Sequence, residues 1–464
     1  MPSTKRFVHN LGFYALGTFA TRLLQFLFVP IYSKFIDPVD MGTFNVVLAT
    51  VSFALPLLFQ SIWEGTFRFT IEQGDEGRAV LATSSKYCLS LTALYSVSFL
   101  LVSFYLNLQY GLYILFYALG QVGTSYWQFA ARALKQNKAY AASTVLNSSV
   151  AIVVNLILIL LFHMGIEALF LASIIGSFVM VSYLEIKLHL FADINKYPFN
   201  RFLLFNIVKY SIPLAINMIS WWLMSSCNSI IITSSIGAGQ NGIYAIAMKF
   251  GTILSIVTTI ITLAWQEEAF RSYGEKDQDA YFNKVLEILT KGLLGATMLI
   301  IPISYILYHY FVFGEYKEGV VLTGLVFLSA VYNALACHLG SAFLARKESS
   351  IMFYTTLSGG VINVIISSIL VVKIGIMGAA IGTLVGNMFN FFIRIPILNK
   401  KMTLTIDYST IMFLTTLCLA IGYICSIYRQ NLYMLLFFII ISSLIAICVN
   451  RQLLMILANK IRKK

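Results

Sequence analysis

Fourteen apolar stretches, each near the length a helix needs to cross a bilayer, recur along this chain and leave short polar connections between them. A crossing takes about 20 apolar residues at about 1.5 Å each. The stretches cover residues 11–31, 42–63, 87–106, 111–131, 142–162, 168–184, 210–234, 242–265, 292–313, 320–344, 352–372, 378–397, 411–426 and 433–449. Of the 464 residues, 59% are hydrophobic and only 11% charged, against about 25% charged in a soluble domain. A soluble enzyme is excluded, and so are the several globular domains that length alone would suggest. The expected fold is an all-α polytopic membrane protein.

An even number of spans puts both termini on one side. Of the 32 Lys and Arg, 26 fall at the termini or in the connections on that same side, and four (Lys34, Lys317, Lys373, Arg429) on the other. Positive charge marks the cytoplasmic face, so both termini are expected there. The net charge of +13 is then a topology signal with anionic headgroups as its partner, and no nucleic acid is implied. No cleaved signal peptide is expected, because the first apolar run is too long for one. The six cysteines all lie in apolar segments without CxxC spacing and read as inert buried thiols. There is no GxxxxGK[ST] and no HExxH, and the five histidines are scattered. Neither an ATPase nor a metal site nor a cofactor is expected.

An internal repeat is visible in two ungapped registers. At an offset of 200, Ile36–Asp37–Pro38–Val39–Asp40–Met41–Gly42–Thr43–Phe44 aligns with Ile236–Gly237–Ala238–Gly239–Gln240–Asn241–Gly242–Ile243–Tyr244. At an offset of 210, Gly165–Ile166 and Gly176 align with Gly375–Ile376 and Gly386. The repeat joins spans 1–6 to spans 7–12. Six is even, so the halves share one orientation, as in transporters built from parallel repeats. The expected layout is an N-terminal lobe (1–200), a C-terminal lobe (201–402) and an appendage of two spans with a basic tail (403–464). The two pseudo-symmetric six-helix lobes would enclose a central cavity.

Polarity inside the spans is sparse and grouped. On span 1, Tyr14, Thr18, Thr21, Arg22 and Gln25 share an arc of about 100°. A charge at mid-helix costs about 2.5–3.5 kcal/mol on insertion scales, so Arg22 should face protein or water. It is either a cavity cation or a packing arginine satisfied by carbonyls. Span 7 carries Asn217, Trp221, Met224 and Asn228 on one stripe; Trp221 either stacks on a sugar or lipid or simply packs. Span 8 carries Lys249, which either faces the cavity or snorkels outward. All 19 Asp and Glu lie at span ends or in loops, so the spans offer two cations and no carboxylate. Such an interior suits an anionic substrate. Glu64 and Arg68, four apart after span 2, read as a surface pair, a cytoplasmic gate or a headgroup contact. Gly378, Gly382 and Gly386 form a small-residue stripe for close packing.

Together these stretches resemble the Wzx-type flippases, the polysaccharide-export branch of the superfamily that also holds multidrug extruders and lipid II flippases. The likeness rests on Asn10–Leu11–Gly12 leading to Arg22, Gly42–Thr43–Phe44, Phe67–Arg68–Phe69 and Lys209–Tyr210–Ser211–Ile212–Pro213–Leu214. It continues through Gly242–Ile243–Tyr244–Ala245, Lys249–Phe250, Ala264–Trp265 and Gly375–Ile376–Met377–Gly378–Ala379–Ala380. The resemblance implies a cavity lined by spans 1, 2, 7 and 8 and alternating-access transfer of undecaprenyl-diphosphate-linked oligosaccharide to the outer leaflet, for O-antigen or another surface polysaccharide. Arg22, Lys249, Tyr14, Thr18, Gln25, Asn217, Trp221 and Asn228 are the candidate substrate contacts, and a polysaccharide polymerase and chain-length proteins the candidate partners. Asn228 departs from relatives that carry Asp there. An ion-coupled multidrug extruder is the nearest alternative, and it would want cavity carboxylates. A membrane-embedded glycan polymerase is the second, and it would want a large outer loop.

Overall fold

The computed structural model describes residues 26–271 and 277–451. These form seventeen α-helices and two 3-10 segments, with no strand among the described residues. In chain order they are α1 (Val29–Phe35), α2 (Pro38–Leu58), α3 (Ile62–Gln73), α4 (Gly77–Tyr105), α5 (Gly111–Ala133), α6 (Asn137–Leu160), α7 (Ile166–Leu188), α8 (Leu190–Lys196) and α9 (Arg201–Ser225). Then come α10 (Cys227–Ile236), α11 (Ala238–Arg271), α12 (Gln278–Phe311), α13 (Thr323–Ala345), α14 (Ser349–Ile374), α15 (Ile376–Asn399), α16 (Tyr408–Ile427) and α17 (Leu432–Val449). Twelve described stretches are long and apolar enough to cross a membrane. The expected span 1 lies mostly outside the described residues, and α5 forms a 23-residue helix whose Gln121, Thr124, Ser125 and Gln128 lower its hydropathy.

Helix boundaries depart from the apolar runs where polar residues extend a helix or strain breaks one. At about 1.5 Å per residue, the 29 residues of α4 and the 34 of α12 exceed a hydrocarbon core of about 30 Å. Each therefore projects polar turns beyond the apolar layer. Span 2, read as one helix over 42–63, is two: α2 ends at Leu58 and α3 begins at Ile62. Between them Gln60 and Ser61 hold left-handed φ angles of 54° and 46°, each costing about 1–3 kcal/mol for residues other than glycine. Pro56 sits in the last turn of α2. The break is held by Ser61 N–H donating to Pro56 O at 2.8 Å and by Tyr87 Oη donating to Gln60 Oε1 at 3.0 Å. Span 7 is likewise interrupted, at Ser226.

Two compact units emerge from the packing, one holding 46–219 and the other holding 26–45 with 220–451. In the first, α3 lies close against α9 because Gly65 has no side chain: a Cβ there would stand 2.8 Å from Ile207 O. In the second, α14 and α15 pack along the predicted glycine stripe. A Cβ on Gly378 would meet Leu370 C at 2.4 Å, and one on Gly386 would meet Gly359 O at 2.7 Å. The last pair, α16 and α17, also packs within this unit, against α12. α16 starts where Asp407 caps Thr410 N–H at 3.0 Å.

The sequence repeat has a geometric counterpart inside the second unit. α2 and α11 begin 200 residues apart, at Pro38 and Ala238. A Cβ on Gly42 would stand 1.7 Å from Ala238 O, and one on Gly242 would stand 2.0 Å from Pro38 O. Equivalent residues of the repeat thus touch each other reciprocally, as a pseudo-twofold requires. Asn241 Nδ2 then donates to Gly42 O at 2.9 Å.

Candidate functional site

Lys249 lies on α11, which begins four residues before its apolar run, so the side chain springs from about 16 Å along the helix. Its ammonium stands 5.4 Å from the centroid of the Tyr32 ring of α1, a cation–π contact. Phe250, next in sequence, stacks on Tyr308 of α12 at 4.2 Å and meets Phe26 edge-on at 5.1 Å. No carboxylate lies within ion-pair distance of Lys249 among the described residues. The Tyr32 ring is its described neighbour, and no anionic partner stands beside it there. Tyr14, Thr18, Arg22 and Gln25 lie outside the described residues.

The stripe read on span 7 does not continue as one helix face. Asn217 is half-buried and Trp221 exposed on α9, and Met224 packs against Gly359. After the interruption at Ser226, Asn228 starts the new helix α10 and turns into the second unit, 3% exposed. Its Nδ2 faces four oxygens: Thr383 Oγ1 at 2.7 Å, Ala379 O at 3.1 Å, and Asn363 Oδ1 and Tyr244 Oη at 3.4 Å. Asn363 in turn donates to Leu223 O at 2.8 Å and accepts from Ser367 at 3.1 Å. This hub joins α10, α11, α14 and α15 with neutral groups alone.

Arg394, inside the apolar stretch 378–397 yet grouped by charge with the basic residues of the cytoplasmic side, lies within α15 and is 1% exposed. Its guanidinium donates to Thr355 Oγ1 at 3.0 Å, Thr356 Oγ1 at 2.9 Å, Ala336 O at 2.5 Å and Met352 O at 3.4 Å. The spans therefore hold a third cation, satisfied by hydroxyls and carbonyls. Three donor nitrogens bonding α13 and α14 at once make it a packing tie. It stands three residues before the end of that stretch, where a cation reads as solvated at the cytoplasmic edge, but the helix runs on to Asn399.

The Glu64–Arg68 pair does not form. Arg68 instead pairs with Glu72 at 3.6 Å, both side chains more than half exposed, and lies 5.7 Å from the Tyr210 ring centroid. Glu64 stands near Arg132. Burial raises its carboxyl above the ordinary value, and the Arg132 charge opposes that. Arg132 is held among Phe67, Phe129 and Tyr140, with centroids at 4.9, 5.3 and 5.8 Å. Of the cysteines, Cys448 is exposed rather than buried.

Residues 7–265, more than half of the chain, match the model of a family described as polysaccharide biosynthesis protein. A curated relative, the uncharacterized membrane protein MJ1375 of Methanocaldococcus jannaschii, is 24% identical over 212 residues, 44% of this chain. The chain spans about half the length of that relative, 48%. Among solved structures, the lipid II flippase MurJ in an inward closed conformation superposes with a TM-score of 0.71 at 12% identity, over 95% of this chain and 99% of that one. An inward-facing multidrug resistance MATE family transporter of the MOP superfamily superposes with a TM-score of 0.66 at 16% identity, over 88% and 99%. At these identities the likeness is one of fold, a multi-pass flippase-like transporter fold. The chain belongs to the polysaccharide biosynthesis protein family.

Proposed function

We propose that this protein is a flippase that carries undecaprenyl-diphosphate-linked oligosaccharide from the cytoplasmic to the outer leaflet, for O-antigen or another surface polysaccharide. The observation that carries the reading is Lys249: a cation deep on a membrane helix, set against the Tyr32 ring and without a carboxylate among its described neighbours. A buried charge of that kind favours a ligand that brings the anion, and a diphosphate does so. Arg22 would add a second cation, while Tyr14, Thr18, Gln25, Asn217 and Trp221 would line the glycan path, with Asn228 behind them. The reciprocal glycine crossing of α2 and α11 supports alternating access, since two equivalent helices can close or part there as a unit. No bond is made or broken in this reading. The protein would sit in the bacterial inner membrane with both termini in the cytoplasm, beside a polysaccharide polymerase and chain-length proteins.

A multidrug extruder of the same fold is the competing reading. Its cationic substrates would want carboxylates well inside the spans, and every described Asp and Glu lies near a helix end, on the short α3 or α8, in a connection, or, for Glu287, on the polar N-terminal turns of α12 beside Lys291. The deciding experiment replaces Arg22 or Lys249 by Ala and by the other basic residue, then measures surface glycan and membrane insertion. The Ala variants should insert normally and lose export, with part of it restored by Arg22→Lys and Lys249→Arg. Normal export by both Ala variants would remove the cations from the mechanism.

A further inference from the structure

Unit 46–219 contains a cleft of about 310 Å³ between α4, α5 and α7. Its floor is the face of α5 that carries Gly120 and Gly123, where close contact with Ser177 and Val181 of α7 leaves no bulk. α4 packs on this face at Ser85 and Cys88 and separates from it beyond Leu89, where its residues are mostly exposed. The rim consists of Phe178, Phe116 and Leu89, which are 71%, 53% and 40% exposed, so the cleft is continuous with the surface these membrane helices turn to the bilayer. Leu190 and Ile194 of α8 close one end.

The chemistry of the walls fixes the occupant. Tyr126 Oη is taken up by Ser84 and Ser85 at 2.7 and 2.9 Å. Trp127 Nε1 donates to Glu185 at 2.8 Å, and Thr92 Oγ1 donates to Cys88 O at 2.8 Å. With these polar groups paired among themselves and Ser177 the one further hydroxyl in the lining, the cleft offers a sugar or phosphate little, and apolar walls hold water poorly. A gap between helices in a bilayer is filled most cheaply by hydrocarbon. From Phe116 to Trp127 the floor runs about 16 Å along α5, close to half of a hydrocarbon core of about 30 Å, so its length is that of one leaflet. At the closed end, Lys187 and Lys196 are exposed and Arg78 is 42% exposed beside Asp193, a basic rim for a headgroup.

We propose that this cleft binds one acyl chain of an anionic glycerophospholipid from the leaflet on the α8 side, with its headgroup on the basic rim. A polyprenyl chain long enough to cross the membrane would overrun a slot of one leaflet's depth.

The test uses the full-length protein in vesicles of phosphatidylglycerol bearing a diazirine in the acyl chain, with cross-linked peptides mapped by mass spectrometry. Labelling should concentrate on 85–92, 116–127 and 174–181. It should fall at least fivefold in Thr92→Trp and in Leu119→Trp, which fill the slot from opposite walls. Leu94→Trp, on the far face of α4 where Leu94 is 64% exposed, should label as the wild type does. Phosphatidylcholine carrying the same group should label the slot several-fold less. Even labelling of all lipid-facing helices would overturn the proposal. So would labelling that both tryptophans leave unchanged, equal labelling by the two headgroups, or preferential labelling by a photoreactive polyprenyl phosphate. None of these outcomes depends on transport, so the slot can fail while the flippase reading stands, and the reverse.

Discussion

The two compact units handle polarity in opposite ways. In unit 46–219 the charged side chains gather at helix ends, in pairs such as Arg78–Asp193 at 2.6 Å and in the ring cage around Arg132. Its α4 packs through its first half, where Val80 to Ser85 and Cys88 are buried, and leaves its second half largely exposed. The other unit buries strongly polar groups among several helices, Asn228 in its hub and Arg394 among Thr355, Thr356 and two carbonyls, and most of the stretch Gly314–Ala345 is buried. Hydrophobic contact discriminates little between helix partners in a membrane, because lipid tails are as apolar as leucine. Small residues and interhelical hydrogen bonds then decide the register. Both units use these devices, the first at Gly65, Gly120 and Gly123 and in the Tyr126–Ser84 and Trp127–Glu185 bonds, the second along its glycine stripe and around Asn228 and Arg394; the first differs in the slot it leaves open beside α4.

Substitutions in the two units should therefore differ in size, and the largest effect belongs to the glycine stripe. Gly378→Val puts carbon against the Leu370–Val371 backbone, which cannot yield. It should cost more than about 3 kcal/mol, read as loss of folded protein in a thermal melt of the purified chain. A mild effect would mean that α14 and α15 are not rigidly registered. Next, Arg394→Ala removes four hydrogen bonds that tie α13 to α14 and leaves a void, and should cost about 3 kcal/mol. Arg394→Met, which restores volume without charge, should recover part of it. Asn228→Ala should follow at about 1–3 kcal/mol, whereas Asn228→Asp, which sets a carboxylate among three of those oxygens, should cost more than Ala does.

In the first unit the expected effects are smaller. Arg132→Ala removes a cation from three rings at the membrane edge and should cost about 1 kcal/mol; a loss as large as that of Arg394 would erase the contrast. The smallest effect is a pH dependence. Folding raises the Glu64 carboxyl, so the folded state holds its proton more tightly and ionisation opposes folding. Glu64→Gln should leave acid stability unchanged and slightly raise stability above the folded pKa. Equal melts of wild type and variant at every pH would show that Arg132 fully offsets the burial.

How much of this is legible in the sequence depends on whether the physics is local. The spans are, because the bilayer reads apolar length directly. The Gly42/Gly242 register is legible too, since a backbone crossing that tight excludes a Cβ and so keeps glycine at both copies. The break in span 2 is not: Gln60 and Ser61 are ordinary helix residues, and only contacts to Pro56 and Tyr87, the latter distant in sequence, hold them left-handed. Nor is the destination of Asn228, because periodicity carries a stripe across Ser226 although the helix does not continue. Arg394 was misplaced for a related reason. A cation near the end of an apolar run reads as solvated until a neighbouring helix is seen to supply its acceptors. Most of the expected span 1 site lies outside the described residues, so Arg22 still rests on the sequence.

Transfer of the lipid-linked glycan itself remains the most direct question. The protein should be reconstituted in liposomes that carry undecaprenyl-diphosphate-linked oligosaccharide in the inner leaflet only, with an external glycosidase reporting arrival outside. Wild-type protein should render the glycan cleavable at a rate that Lys249→Ala largely abolishes, while a cationic dye in the same liposomes stays where it is. A glycan that remains protected, with the dye moving instead, would contradict the account.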